Sequence, residues 1–130
     1  MTDYSYEHKE VLVAIDNVSL ALGGCQVLKN VSATVRNIVR PGLTQGQVVG
    51  FLGPSGIGKS QLCRIIAGLQ APDSGEVRVG VAQERVALGS VGRVSQNYEL
   101  FEHRRVMDNL LIAGRTLPVG AAREKARSLL

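Results

Sequence analysis

Along the first third of the chain, apolar positions recur every second residue, the pattern of a strand with one buried face. Val11, Val13 and Ile15 alternate with other residues, and Val18, Leu20 and Leu22 continue the alternation in shifted phase, as one or two short strands. Gly23-Gly24 is a turn signal and Gln26–Val35 reads as the partner strand, so an antiparallel pair is predicted. Pro41-Gly42 and Gly46 punctuate a connection. Gln47–Leu52 is then short and almost wholly apolar, which predicts a strand buried on both faces, as in a parallel sheet. After it the period changes. Leu62, Ile65, Ile66 and Leu69 stand on one face of a helix beginning near Gly58 and ended by Gly68 and Pro72. Pro72–Gly75 is a turn, and strands are predicted at Glu76–Val81 and Ser90–Val94. From Met107 the pattern is helical again, in two pieces broken by Gly114 and by Pro118–Gly120.

With 130 residues, 45% of them hydrophobic and 20% charged, the chain suits one globular domain rather than a disordered tail. Its net charge of +4 comes from scattered residues, with His103-Arg104-Arg105 as the only tight basic cluster. Nucleic acid, which needs a concentrated basic face, is therefore not an expected partner. Five aromatic residues (three Tyr, two Phe) are too few for a base-stacking platform. Apolar runs reach only about five residues against roughly 18 for a bilayer span, and residues 1–10 are polar and acidic, unlike a secretory signal. A cytoplasmic chain is the expectation. Cys25 and Cys63 show no C-x-x-C spacing and suit reduced thiols, Cys63 as a small packing residue in its helix. Glycine is the anomaly: 15 residues, clustered at Gly50, Gly53, Gly56 and Gly58.

That cluster carries chemistry. Gly53-Pro54-Ser55-Gly56-Ile57-Gly58-Lys59-Ser60 matches the phosphate-binding loop G-x-x-x-x-G-K-[ST]. Successive backbone N–H groups must converge on phosphate oxygens, and glycine tolerates the φ values and close approach this needs. The following helix adds its unpaired amides and the positive end of its dipole. Lys59 would reach the β- and γ-phosphates, and the Ser60 hydroxyl would ligate Mg²⁺. A chance match in a chain of this composition is on the order of one in two hundred.

The flanks are more specific. The loop, then Arg64-Ile65-Ile66-Ala67-Gly68-Leu69, then Pro72-Asp73-Ser74-Gly75-Glu76-Val77, together resemble the ATP-binding cassette (ABC) ATPases. A second block, Val91–Gln96 followed by Leu100-Phe101-Glu102-His103 and Val106-x-x-Asn109, is similar to the family's glutamine loop and the start of its helical subdomain. The resemblance implies an α/β P-loop NTPase of ABC type: an antiparallel β subdomain, then the start of a RecA-like core and of the helical subdomain. It also implies that residues 1–10 form a polar N-terminal segment and 11–130 the N-terminal part of the domain, incomplete at its C-terminus. By the same resemblance Gln96 contacts Mg²⁺ and the attacking water; a side-chain amide, with one acceptor and two donors, suits that bridging. The loop after Gln96 would meet a transmembrane permease subunit, a second nucleotide-binding subunit would face the ATP, and the assembly would sit at the inner face of the membrane. The Leu100–His103 stretch is similar to importer sequences. A different P-loop enzyme is the weaker alternative, since no guanine-reading N-K-x-D occurs. A non-catalytic nucleotide-binding remnant is the other.

Departures from the family pattern bear on the site. Leu22 stands where an aromatic residue usually stacks on adenine, so apolar contact is kept and π-stacking lost. Gln61 replaces the second hydroxyl residue that commonly follows the Mg²⁺ ligand, Pro41–Gly46 lengthens the turn into the loop, and Glu102 stands where proline is common. His8 and His103 fit no family role and read as solvated. No L-S-G-G-Q signature, Asp-Glu strand or switch histidine occurs. Phosphoryl transfer requires a positioned water and spread charge, which a phosphate loop alone does not supply. Steady-state phosphate release from the 1–130 chain is accordingly expected to match its Lys59→Ala variant, and robust turnover abolished by that substitution would reveal a catalytic carboxylate overlooked here.

Overall fold

In the computed structural model, which describes residues 6–40, 42, 47–97 and 100–130, four strands and three helices form among those residues. Two compact units result, one running to Arg93 and the other spanning Val94–Leu130.

The first unit is built on a long hairpin. Strand β1 (Glu7–Leu22) pairs antiparallel with β2 (Cys25–Val39) across Gly23-Gly24, both at positive φ as a type I′ turn requires. The shifted phase noted in β1 is a bulge, not a break between strands. Asn17 sits at φ 48, its N–H donates to Ser32 Oγ at 3.0 Å, and the side-chain parity changes there. Ile15, Val18 and Leu20 consequently all face the core. In β2 a matching irregularity surrounds Asn30 (φ 47), whose N–H donates to the buried Ser19 Oγ at 2.9 Å. Strand pairing extends beyond the expected limits at both ends. Glu7 and His8 pair with Val39 and Ile38, so β1 begins within the polar segment 1–10. Asn37 Nδ2 donates to Glu10 at 2.7 Å; a backbone hydrogen bond first, and this one second, hold the Glu10 carboxyl below the usual carboxylate range.

Strand β3 (Ser74–Val79) pairs antiparallel with the other side of β1, and β4 (Glu84–Arg85) with β3, giving the order β2-β1-β3-β4. β3 can start against the bulge only because Gly75, at φ 81, has no Cβ to strike the carbonyls of Asp16 and Asn17. Asp73 ties the turn before it to β1, its N–H donating to Ser19 O at 2.9 Å and its carboxylate accepting from Ala21 N at 2.6 Å. Helix α1 (Lys59–Ile66) packs Leu62 and Ile65 into the cluster of Ile15, Val18, Leu20, Leu28 and Val77. Cys63 is exposed, so the packing role expected of it is not what the helix uses.

Two predicted strands do not form. Gln47–Leu52 runs to the phosphate loop without a ladder, with Val48 97% and Leu52 98% exposed. Ser90–Val94 is likewise irregular. A parallel strand exists only through its neighbours, and among the described residues neither run has one. The Pro41 and Leu43–Gly46 part of the connection lies outside the described residues.

The second unit holds α2 (Val106–Ala113) and α3 (Val119–Arg127), which meet through the buried Ala122 and Ala126. Gly114 ends α2 and Pro118 caps α3, as the breaks in the pattern predict, while Gly120 lies within α3.

Ile65 is fully buried at the centre of the first unit's core. Ile65→Ala is expected to cost about 2–5 kcal/mol and Ile65→Val about 1 kcal/mol, read as a fall in the urea midpoint at unchanged m-value.

Candidate functional site

The loop from Gly53 to Gly58 is anchored at its far end. Gly58 is buried, stands at φ 101 as the N-cap of α1, and lies so close to β2 that a Cβ there would come 2.9 Å from Leu28 Cδ2. Only glycine meets both conditions, the left-handed backbone and the close approach. Leu62 N–H bonds to Gly58 O at 2.9 Å and starts the helix, while no side chain caps the first turn and no acidic residue lies in it. The first-turn amides and the positive end of α1 therefore face whatever occupies the loop.

Lys59 folds back over this loop. Its Nζ donates to the carbonyls of Gly53 and Pro54, each at 2.7 Å, so the ammonium is held within the ring of backbone it would share with an anion. Beside it opens a cavity of about 410 Å³ lined by Leu22, Val27, Ser55, Gly56, Gly58, Lys59, Ser60 and Gln61. Its chemistry is graded. Leu22, 41% exposed at the end of β1, and Val27 of β2 make an apolar wall; Lys59, Ser60 and the loop make a polar one. Gln61 adds a carboxamide whose Oε1 is buried without a hydrogen-bond partner.

Among the expected site residues, Leu22, Ser55, Gly56, Gly58, Lys59, Ser60 and Gln61 come together at this cavity, and Gly53 and Pro54 join through Lys59. Ile57 belongs to the same loop and is exposed. Gln96 stands exposed in a turn of the second unit, and Tyr98 and Glu99 of the loop that follows lie outside the described residues. Val27 was not expected. Its signal was the hairpin itself: a two-residue turn after Leu22 sets early β2 residues beside it.

The cavity's donors suit phosphate groups: uncapped amides, one ammonium and the Ser60 hydroxyl. For a divalent cation it offers the Ser60 hydroxyl, and no carboxylate lines it among the described residues, so phosphate oxygens and water would complete the shell. A depression of about 420 Å³ on the sheet is different in kind, since its Glu76 pairs with Arg78 and with Arg85.

In the second unit one side chain organises a loop. Asn109 Oδ1 accepts from Phe101 N–H at 2.9 Å, and its Nδ2 donates to the carbonyls of Phe101 at 3.2 Å and Arg105 at 3.1 Å. The turn so held sets Arg104 5.6 Å from the centre of the Phe101 ring and His103 edge-on to it at 6.0 Å.

A family model described as ABC transporter matches residues 37–130. The chain is 38% identical over 109 residues to a sulfate/thiosulfate import ATP-binding protein CysA of Halalkalibacterium halodurans, covering 82% of this chain and 28% of that protein. It is 37% identical over 118 residues to the CysA of Gloeobacter violaceus, covering 88% of this chain and 32% of the relative. A probable CysA of Chlorella vulgaris is 39% identical, covering 75% and 39%. The chain thus spans roughly a third of the length of these relatives. A solved ATP-binding cassette of an ABC transporter superposes with a TM-score of 0.58 at 20% identity, over 88% of this chain and 45% of that one, which establishes a shared fold.

Gly58→Ala is expected to lower stability by more than about 1 kcal/mol, since it adds a side-chain clash to the cost of a left-handed alanine. Gly56→Ala, with φ 82 but open space around it, should carry the conformational cost alone. Parallel urea titrations of the two variants measure the difference.

Proposed function

Because the chain belongs to the ABC transporter family, we propose that its loop at Gly53–Ser60 holds the triphosphate of ATP with Mg²⁺, as the nucleotide-binding part of an import system. The observation that carries this reading is the graded cavity, with an apolar wall at Leu22 and Val27 and a cationic, amide-rich end at Lys59. An amphiphilic ligand with a flat apolar base and a polyanionic tail matches that gradient. Import is supported by relatives named as import ATP-binding proteins. The solute would be chosen by other subunits.

The residues take distinct roles in this reading. Loop amides and Lys59 bind the phosphates, and Lys59 would exchange carbonyl partners for phosphate oxygens, gaining charge-assisted bonds. Ser60 would hold Mg²⁺, which when bound neutralises phosphate charge. Leu22 and Val27 would exclude water from one face of the base. Gln96 would orient the attacking water in the complete assembly, with a second nucleotide-binding subunit facing the ATP. The loop after Gln96, whose continuation at Phe101–Arg105 is held by Asn109, would meet the permease at the cytoplasmic face of the membrane. No helix of the described residues is long and apolar enough to cross a membrane.

Lys59→Ala is expected to weaken ATP binding at least tenfold and to leave adenosine binding unchanged, because the ammonium serves only the phosphates. Calorimetric titration of both ligands against both chains is the measurement. Equal losses for the two ligands would remove Lys59 from the phosphate site.

A further inference from the structure

We propose that this cavity takes purine nucleoside triphosphates as a class and does not distinguish one purine from another. The proposal rests on the ATP reading of the cavity and names the breadth of its substrate. The cavity's polar side chains, Ser55, Lys59, Ser60 and Gln61, all belong to the phosphate loop or to the first turn of α1. The hairpin side supplies only Leu22 and Val27, and neither side chain carries a hydrogen-bonding atom. The backbone of Leu22 pairs with Cys25 across the turn. Among the described residues no aromatic ring lines the cavity.

Adenine, guanine and hypoxanthine have nearly the same apolar ring faces and differ in the donors and acceptors along their edges. A site that tells them apart needs a protein group bonded to that edge. One such bond made, or one buried group left unpaired, changes affinity by about five- to a hundredfold. An aliphatic wall takes the ring face by area alone, and the area is common to all three. Leu22 is itself 41% exposed at the end of its strand, so the edge of a base resting on it stays in water and gains nothing net from the protein. The other end of the cavity holds the Lys59 ammonium, the Ser60 hydroxyl and the uncapped amides of α1, all matched to the phosphate tail that the three ligands share.

ATP, GTP and inosine triphosphate, each with Mg²⁺, are titrated calorimetrically against the full 1–130 chain and its Leu22→Ala variant. The unsubstituted chain is expected to bind the three within about threefold of one another. Leu22→Ala should weaken all three by a common factor of about three to ten, because it removes contact area from the shared ring face. A larger spread among the three in the unsubstituted chain overturns the proposal, since it requires a group that reads the base edge. So does a Leu22→Ala effect that is unequal among them or absent for all of them. The ratios in the unsubstituted chain are decisive even where Leu22→Ala fails to fold. Absence of binding by all three triphosphates overturns both this proposal and the ATP reading; tight binding of ATP with rejection of GTP overturns this one alone.

Discussion

One extra residue in β1 sets the geometry of the whole first unit. At Asn17 the backbone turns left-handed and the alternation of side chains slips by one, so that Ile15 and Val18 face the same side. Without the slip, Val18 and Leu20 would point away from α1, and Leu22 with them. The hydroxyl of Ser32 and the Ser19–Asn30 pair satisfy polar groups near the irregularities, Gly75 lets β3 approach the bulge, and Asp73 ties the preceding turn to β1. The core of Leu62, Ile65 and Val77 closes on that arrangement.

The phosphate loop inherits its position from this core through Gly58. Wedged against Val27 and Leu28, that residue fixes the start of α1 relative to the hairpin, so the helix amides and the Leu22 wall share one cavity. Such preorganisation lowers the entropic cost of binding. Lys59 bridges the loop's first two carbonyls, which holds both ends of the loop together. Charge-assisted bonds of this type are each worth roughly 1.5–3 kcal/mol, so only a ligand with comparable acceptors can compete for the ammonium. A triphosphate has them and a neutral nucleoside does not.

The second unit uses a different economy. Its helices meet through alanines, and its exposed turn is held by the Arg104 N–H donating to Phe101 O and by the carboxamide of Asn109, which both donates and accepts. That turn sets His103 and Arg104 against the Phe101 ring.

The phosphate loop, the helix after it, the first antiparallel pair and the two C-terminal helices were all legible along the chain. Each rests on local spacing: a run of glycines, a 3.6-residue period, an alternation around a Gly-Gly turn. Family membership followed from the same short segments and is carried by the match over residues 37–130. The phase shift in β1 was visible too, but whether it broke the strand or bulged it depended on Ser32 in the partner strand. Gln47–Leu52 and Ser90–Val94 have the composition of strands and are none here, because a strand is completed by hydrogen bonds to a neighbour and not by its own residues. The tertiary structure alone exposed Cys63 and left the Gln61 oxygen buried without a hydrogen-bond partner. Local pattern decides which element a segment favours; burial and partnership are properties of distant groups brought together, and no spacing along the chain encodes them.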